Sequence, residues 1–260
     1  MKTVSRNDLV QFLDQLLELD RWPDDPSNNG LQFEGDAEVA KAVFAVDASA
    51  ELFCKAADLD AGFLFVHHGI SWGSGIRRID GILADRIKLL AANGMSLYAA
   101  HLPLDAHPRF GHNARLAAMI GLADLRMFGA YHGKLTGFRG VLPEKKTVAE
   151  LARIFDKSLP SSGPYTIIGN PDRTVETVGV ISGGGGAWPE LFDEFALDPL
   201  DCLVTGEAAH EVFHPAKEAE TAILTLGHYR SETPGVFAVM DLVKSKFGIE
   251  TTFLDLPTNL

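Results

Sequence analysis

The sequence predicts an α/β protein with mostly parallel or mixed sheets. Short apolar runs alternate with helical patterns in the first half of the chain, and the alternation resumes in the second half. Such alternation is typical of βαβ units and therefore of parallel sheets. With 260 residues, 46% of them hydrophobic and 22% charged, the chain can bury a full core as one large unit or as two smaller halves.

The first half opens with a helix. Ser5-Arg6-Asn7-Asp8 resembles a capping box, and the helix has an apolar stripe of Leu9, Phe12, Leu13, Leu16 and Leu17. Residues 22–30 are rich in Pro, Asp, Asn and Gly, which predicts a loop. Apolar runs then predict strands at residues 39–46, 61–66 and 95–100, with a helix at residues 80–93 between the last two.

The second half follows a less regular middle. Apolar runs predict strands at residues 125–131 and 135–142, and Thr147 and Glu150 form a capping box that opens a helix ending near Leu159. Further strands are predicted at residues 175–181, 201–204, 221–226 and 249–254, with helices at 189–196, at 208–219 and from Pro234 onward. We therefore predict two α/β halves, residues 1–128 and 129–260, with a strand within residues 249–257 returning to the first half.

Charge and cysteine content argue against several classes of protein. A net charge of −12 without Lys and Arg clusters speaks against nucleic-acid binding, because phosphate backbones need clustered cations. Residues 1–20 lack the continuous apolar stretch of a signal peptide, and no run reaches membrane-spanning length. Cys54 and Cys202 are far apart among apolar neighbours, which predicts two reduced, buried thiols. We expect a cytoplasmic protein with no membrane or nucleic-acid partner.

Metal-binding side chains follow three of the predicted strands. His67 and His68 come after the run 63–66, His101 after the run 97–100, and His228 after the run 223–226 and Gly227. The carboxyl ends of parallel strands form one edge of a sheet, where ligand sites lie, so we expect these side chains to converge. A single His in such a place is more often a packing or hydrogen-bonding residue. Three such clusters together favour a metal site.

Carboxylates accompany two of these histidines. Asp105 lies four residues after His101 with Pro103 between them, which predicts a loop that folds back rather than a helix. Glu232 lies four residues after His228, just before a predicted helix whose dipole favours a carboxylate. Either carboxylate can bridge two metal ions.

His67 and His68 are adjacent in sequence, which limits how both side chains can reach the same site. Neighbouring residues on a straight strand point to opposite faces, so both can serve one site only if the strand ends before them. Gly69, Ser71 and Gly73 predict that the chain turns there. Each imidazole can then face a different ion of a close pair of metals.

Three other features have two interpretations each. Residues 210–214 fit the H-E-x-x-H pattern of zinc proteases, but Pro215 follows and no third ligand is near, so we favour surface residues, with His214 lining the cleft. Gly183, Gly184 and Gly185 follow a strand and either bind phosphate through backbone N–H groups or form only a tight turn. Glu207 is either a proton carrier or substrate contact at the cleft edge or a solvated residue at a helix start.

Six segments, in this order, resemble one known family. They are Ser27-Asn28-Asn29-Gly30-Leu31-Gln32, Val66-His67-His68-Gly69, residues 101–108, residues 182–185, Thr205-Gly206-Glu207, and Gly227-His228 followed by Glu232. The combination is similar to the NIF-three-like family, also known as GTP cyclohydrolase I type 2 homologues, over residues 5–257. The chain resembles the short form of the family, without the extra middle domain of longer relatives.

The resemblance implies a dinuclear metal centre between two α/β halves at the strand carboxyl ends. The five usual ligands of the family fall on His67, His68, Asp105, His228 and Glu232, with Glu232 as the bridge and His101 as a sixth, variable participant. A ring-shaped homohexamer, built as a trimer of dimers, is also implied. The chain departs from the family pattern at Tyr229-Arg230-Ser231, which leaves the role of Arg230 open.

The function that follows is metal-dependent hydrolysis of a small anionic substrate that is phosphate-bearing or nucleotide-like. Two divalent metals can clamp an oxyanion and lower the pKa of water. Glu207 or His101 is the expected proton carrier. Ligands of this kind suit Zn, Mn, Fe, Co or Ni. The alternative is a non-catalytic metal-handling or scaffold protein.

Overall fold

The computed structural model describes residues 2–131, 133–160, 163 and 165–260. These residues form two compact units. The first runs to Leu104 and includes Val236–Leu256, and the second consists of Asp105–Gly235 and Pro257–Leu260. The predicted α/β class with parallel and mixed sheets is confirmed.

The strands of both units are short, as their apolar runs predict. They are β1 (Val4–Ser5), β2 (Gly30–Phe33), β3 (Glu38–Val39), β4 (Lys41–Asp47), β5 (Phe63–His68), β6 (Ser96–Ala99), β7 (Ala123–Tyr131), β8 (Lys134–Thr147), β9 (Thr166–Ile168), β10 (Thr174–Ile181), β11 (Cys202–Thr205), β12 (Ala222–Thr225) and β13 (Glu250–Phe253). Among the strands of the described residues, β8 is the longest, with 14 residues.

The α-helices lie between these strands along the chain. They are α1 (Arg6–Leu17), α2 (Ala50–Asp58), α3 (Gly81–Ala92), α4 (Leu102–Asp105), α5 (His112–Met119), α6 (Val148–Ser158), α7 (Glu190–Leu197), α8 (Phe213–Glu218), α9 (His228–Ser231) and α10 (Pro234–Phe247). Short 3₁₀ helices occur at Leu19–Arg21, Gly183–Ala187 and His210–Val212. In the described part of the chain, none of the helices has both the length and the apolar character needed to cross a membrane.

The first unit is built on a sheet with the strand order β13-β4-β5-β6-β2. The first four of these run parallel, and β2 pairs antiparallel with β6 at the edge. Phe63 and Phe65 of β5 pack on one face with α1 and α10, whereas Leu64 and Val66 pack on the other with α2. The sheet is therefore buried on both sides, as parallel sheets are. Because β5 and β6 are parallel, their carboxyl ends meet at one edge.

The second unit contains a mixed sheet with the order β7-β8-β10-β11-β12-β9. Its central strands β10, β11 and β12 are parallel, and the outer pairings are antiparallel. Val178 and Val180 of β10 face a core with α5 and α6, and Ile181 and Leu203 face a second core with α7. This unit too presents strand carboxyl ends at one edge, where Ser182 and Gly206 follow β10 and β11.

The division into units differs from the predicted boundary after residue 128. Residues 105–128 belong to the second unit, because Leu116 and Ala117 of α5 are buried in the same core as Val178. Near the other end of the chain, β13 pairs with β4 in the first unit. The chain therefore leaves the first unit at Leu104 and returns to it at Val236.

Most predicted elements lie within a few residues of their expected positions, with some exceptions. Thr147 and Glu150 form the predicted capping box. The patterns do not predict β2, β9 or α5, and α5 lacks a plain apolar stripe because it buries His112 and Asn113. The helix predicted at residues 208–219 begins instead as a 3₁₀ turn before α8.

The two cysteines have different surroundings. Cys202 is buried, as predicted, and burial raises the pKa of its thiol to about 12. For Cys54 the prediction is wrong, since this residue is exposed. The buried stripe of α2 consists of Leu52, Phe53 and Ala56, so the side chain of residue 54 lies on the solvent side of the helix.

Candidate functional site

His67 and His68 form the end of β5. The sequence predicts that the strand stops before this pair, and that is wrong, because β5 continues to His68, which pairs with Asp47 of β4. The two rings nevertheless lie 4.5 Å apart between centroids. On the other side, β6 pairs with β5 only as far as Val66. Both histidines therefore extend past the neighbouring strand at the sheet edge.

His101 completes a group that we call the histidine cluster: His67, His68 and His101, all in the first unit. The ring centroid of His101 lies 5.2 Å from that of His67 and 5.7 Å from that of His68. Each residue offers a ring nitrogen, and these nitrogens lie within 4.8 Å of one another. The expected convergence of strand-end histidines is thus present in the first unit.

Each ring of the histidine cluster has an acceptor oxygen at Nδ1. The Nδ1-to-oxygen distance is 2.8 Å in all three cases, to the carbonyl of Ala100 for His67, to Asp47 for His68 and to Asp25 for His101. Carbonyl and carboxylate oxygens only accept, so each Nδ1 donates, and the lone pair of each neutral ring lies on Nε2. Metal-binding histidines typically donate their second nitrogen to such acceptors.

Asp25 ties His101 to the loop that follows α1. Its side chain is fully buried. One carboxylate oxygen accepts from His101 Nδ1 and the N–H of Ser27, and the other accepts from Asn29 Nδ2 and the N–H of Leu102. Burial raises the pKa of Asp25, but the hydrogen bonds outweigh it and hold the pKa below its usual value. Asp25 is therefore a buried anion that fixes the orientation of His101.

In the second unit, Glu207, His228 and Glu232 form what we call the carboxylate cluster. His228 Nδ1 lies 2.6 Å from Glu207 Oε1, and His228 Nε2 lies 3.2 Å from Glu232 Oε1. Burial lowers the pKa of His228, but the carboxylates of Glu232 and Glu207 outweigh it and raise the pKa to about 10. A metal ion that binds Nε2 has to displace this proton.

Asp105 lies at the end of α4 in the second unit and is buried. The predicted loop between His101 and Asp105 is wrong, because α4 is a one-turn helix, and Pro103 lies in the first turn, where proline is tolerated. Asp105 Oδ1 accepts a hydrogen bond of 2.7 Å from the hydroxyl of Ser182. The carboxylate is therefore oriented by the residue that precedes the glycine run.

His112 is a buried histidine near Asp105 that the sequence patterns do not single out. The two residues offer side-chain atoms within 4.8 Å of each other. The N–H of Gly235 donates to His112 Nδ1 at 3.0 Å, so a neutral His112 carries its proton on Nε2. In that form the ring is a donor at Nε2 and not a metal ligand. No local signal marks this residue, since its partner is distant in sequence.

The glycine run packs tightly against the carboxylate cluster. The N–H of Gly183 donates to Ser231 Oγ, and that of Gly185 donates to the carbonyl of Ser182. Two of the three predicted phosphate donors are therefore already used, which favours the tight-turn interpretation of Gly183, Gly184 and Gly185. A Cβ atom at Gly183, whose φ is +57°, would overlap the carboxylate of Glu232.

The H-E-x-x-H residues lie outside both clusters. His210 and Glu211 are exposed, as the preferred interpretation expects. His214 is exposed as well and lies in neither cluster, so its place in the cleft lining stays a prediction. His210 lies in a 3₁₀ turn and His214 in α8. Among the described residues, neither His210 nor His214 belongs to a group that could hold a metal ion.

Five of the six predicted ligands lie in the two clusters. The histidine cluster contains three of them, and the carboxylate cluster contains His228 and Glu232 together with Glu207, one of the two predicted proton carriers. The sixth, Asp105, lies in the second unit and is bonded to Ser182. The acceptors Asp25 and Asp47 were not predicted. A carboxylate that orients a histidine has no fixed spacing from it in sequence, so only the fold identifies it.

Known proteins are similar to this chain over nearly its whole length. A family model described as Duf34/NIF3 (NGG1p interacting factor 3) matches residues 4–259. A Pyrococcus horikoshii protein called GTP cyclohydrolase 1 type 2 homolog is 41% identical, with 99% of this chain and 100% of the relative covered. A relative of the same name from Archaeoglobus fulgidus is 43% identical, with 97% and 98% covered.

Solved structures give the same result. The TTHA1606 protein of Thermus thermophilus has a TM-score of 0.84 at 38% identity, with 99% of this chain and 100% of that chain covered. A protein called ybgI, described as of unknown function, has a TM-score of 0.85 at 31% identity, with the same coverage. The chain therefore belongs to the Duf34/NIF3 family.

Proposed function

We propose that this chain binds two divalent metal ions and uses them to hydrolyse a small phosphate-bearing or nucleotide-like molecule. The observation that carries the proposal is the common orientation of the histidine cluster. Three adjacent imidazoles each donate through Nδ1 to an oxygen at 2.8 Å. A packing role explains one such histidine. Three histidines, each with its Nε2 atom oriented by a separate acceptor at Nδ1, fit a metal site better.

The proposed ligands are His67 and His68 from the first unit, and Asp105, His228 and Glu232 from the second. Glu232 is the proposed bridge and His101 the variable sixth ligand. His228 Nε2 and Glu232 Oε1 are 3.2 Å apart. Two ligand atoms bound to one ion at about 2.1 Å are separated by roughly 3 Å, so the pair fits a shared ion. Nitrogen and carboxylate donors without thiolates suit Zn, Mn, Fe, Co or Ni.

Bound divalent metals supply positive charge that polarises a phosphoryl oxygen and lowers the pKa of water. They also offset the net charge of −12, which otherwise repels an anionic substrate. Glu207 orients His228 through one carboxylate oxygen, and its second oxygen can accept a proton. Asp25 holds His101 in one orientation, which is a condition for directed proton transfer at Nε2. For the Gly183, Gly184 and Gly185 loop, we propose support of Glu232 rather than phosphate binding.

Metal analysis combined with an activity panel tests this function. Purified protein is expected to hold up to two transition-metal ions per chain and to hydrolyse phosphate esters or nucleotides weakly with Mn, Zn, Co or Mg. Asp105→Ala is expected to reduce the rate by roughly 10² or more, because positioned electrostatic stabilisation is lost. Rates that do not respond to chelator or to Asp105→Ala would contradict hydrolysis. Metal binding without turnover would support the metal-handling alternative.

Membership in the family also leads us to propose a ring-like homohexamer, built as a trimer of dimers, in the cytoplasm. Light scattering is expected to give a mass of about six chains of 28.1 kDa each. A monomer across the micromolar range would contradict the assembly. It would leave the proposed metal binding untouched, because that rests on the histidine orientation.

A further inference from the structure

Trp72 is a large aromatic side chain that the fold leaves 39% exposed. Its Nε1–H donates to the carbonyl of Gly69 at 3.0 Å, so the only polar group of the indole is already bonded. The exposed ring is therefore apolar surface held in one orientation. Such surface is unfavourable in water, and covering it with a flat apolar group lowers the free energy of the complex.

The loop that carries Trp72 is anchored on both sides. The N–H of Gly73 donates to the carbonyl of Pro26 at 2.6 Å. Just before Trp72, the side-chain oxygen of Gln32 accepts from the N–H groups of residues 70–71. Because backbone and ring are both fixed before any ligand arrives, a ligand that stacks on the indole pays little ordering entropy.

The indole borders the histidine cluster. Its ring centroid lies 5.1 Å from that of His101, in an edge-on arrangement at 72°, and 6.0 Å from that of His68. A molecule whose phosphate lies at metal ions held by these histidines therefore places its remaining part within reach of the indole. Packing against His101 is a sufficient reason for the buried edge of Trp72. It gives no reason for the part of the ring that is open to solvent.

We propose that Trp72 is a stacking platform that selects substrates carrying a planar heteroaromatic ring, such as a nucleobase. This rests on the proposed function, since the phosphate of the same molecule is held by the metal ions. Base–aromatic stacking tolerates different bases because every base has a π-face. Trp72 thus distinguishes nucleotides from sugar phosphates without choosing among the bases.

The test compares two ligands that differ only in the base. Phosphonate analogues of AMP and of ribose 5-phosphate, whose P–C bond is not hydrolysed, are titrated calorimetrically into the metal-loaded full chain. Wild type is expected to bind the AMP analogue about tenfold more tightly, which corresponds to about 1.4 kcal/mol. Trp72→Phe is expected to retain most of this preference and Trp72→Ala to reduce it to within about twofold. Phe213→Ala, which removes an aromatic of similar exposure in α8, is the matched control.

Elemental analysis of the same samples separates this proposal from the metal proposal. All variants are expected to hold as much metal as wild type, and thermal melting shows that they are folded. A wild type with no preference for the base, or a Trp72→Ala variant that weakens both ligands equally, would overturn the stacking role while metal binding stands. A wild type without metal would overturn the proposed function instead.

Discussion

The Nδ1 atom of His68 lies 2.8 Å from Oδ1 of Asp47, its register partner on the neighbouring strand β4. The pairing of β4 with β5 therefore orients the imidazole of His68. We expect Asp47→Ala to lower metal affinity by about 10–100-fold, as loss of such an acceptor does elsewhere. Asp47→Asn is expected to lose less, because its amide oxygen can still accept from Nδ1.

Competition with a chelator measures this effect. Glu51→Ala is the matched control, since Glu51 is an exposed residue of α2 that forms an ion pair with Lys55 on the same helix. Unchanged affinity in Asp47→Ala would mean that the aspartate does not orient His68 in solution.

Gly183 and Gly184 are neighbours that we expect to respond differently to alanine. A Cβ at Gly183 would overlap the Glu232 carboxylate and would require a φ of +57°, whereas the nearest atom to a Cβ at Gly184 is 4.0 Å away. Gly183→Ala is expected to lower the free energy of unfolding by about 1–3 kcal/mol and to reduce metal content. Denaturant unfolding and elemental analysis test this. Equal effects of the two substitutions would contradict the close packing of Gly183 on Glu232.

His210→Ala is expected to leave metal content unchanged. His210 is exposed in a 3₁₀ turn and belongs to neither cluster. His68→Ala, assayed in parallel by elemental analysis, is expected to lose metal. A zinc-free His210→Ala protein, together with protease activity in the wild type, would make the H-E-x-x-H motif the true site.

Asp201 is expected to make stability depend on acid pH. Burial raises its pKa, but hydrogen bonds from Thr177 and Glu176 and the charge of Arg173 outweigh it, so the pKa lies below its usual value. A lowered pKa contributes stability that is present above the unfolded pKa and is lost as pH falls through the folded pKa.

Urea unfolding of wild type and Asp201→Asn tests this linkage. At pH 7 the variant is expected to be less stable by about 1 kcal/mol, a low value because the group is partly exposed. The difference is expected to shrink as the pH falls below about 4, where protonated Asp201 comes to resemble Asn. A difference independent of pH would assign the effect to packing.

The strand-end histidines could be predicted because their signal is local. A short apolar run predicts a strand, and parallel strands bring their carboxyl ends to one edge, so His67, His68 and His101 could be expected together from order alone. Two finer details were not predictable in this way. β5 continues to His68 and residues 102–105 form α4 rather than a loop, since turn signals such as Gly69 and Pro103 do not fix where a strand ends or whether a short helix forms.

The sequence by itself determined the α/β class, the metal-competent side chains and the family, because these depend on local patterns and on motifs in a fixed order. Only the tertiary structure decided what orients those side chains. Asp25 is 76 residues from His101 and Asp47 is 21 residues from His68, and no spacing rule connects them. It also decided between the two interpretations of Gly183, because the N–H partner Ser231 and the carboxylate of Glu232 reach that glycine only through long-range packing.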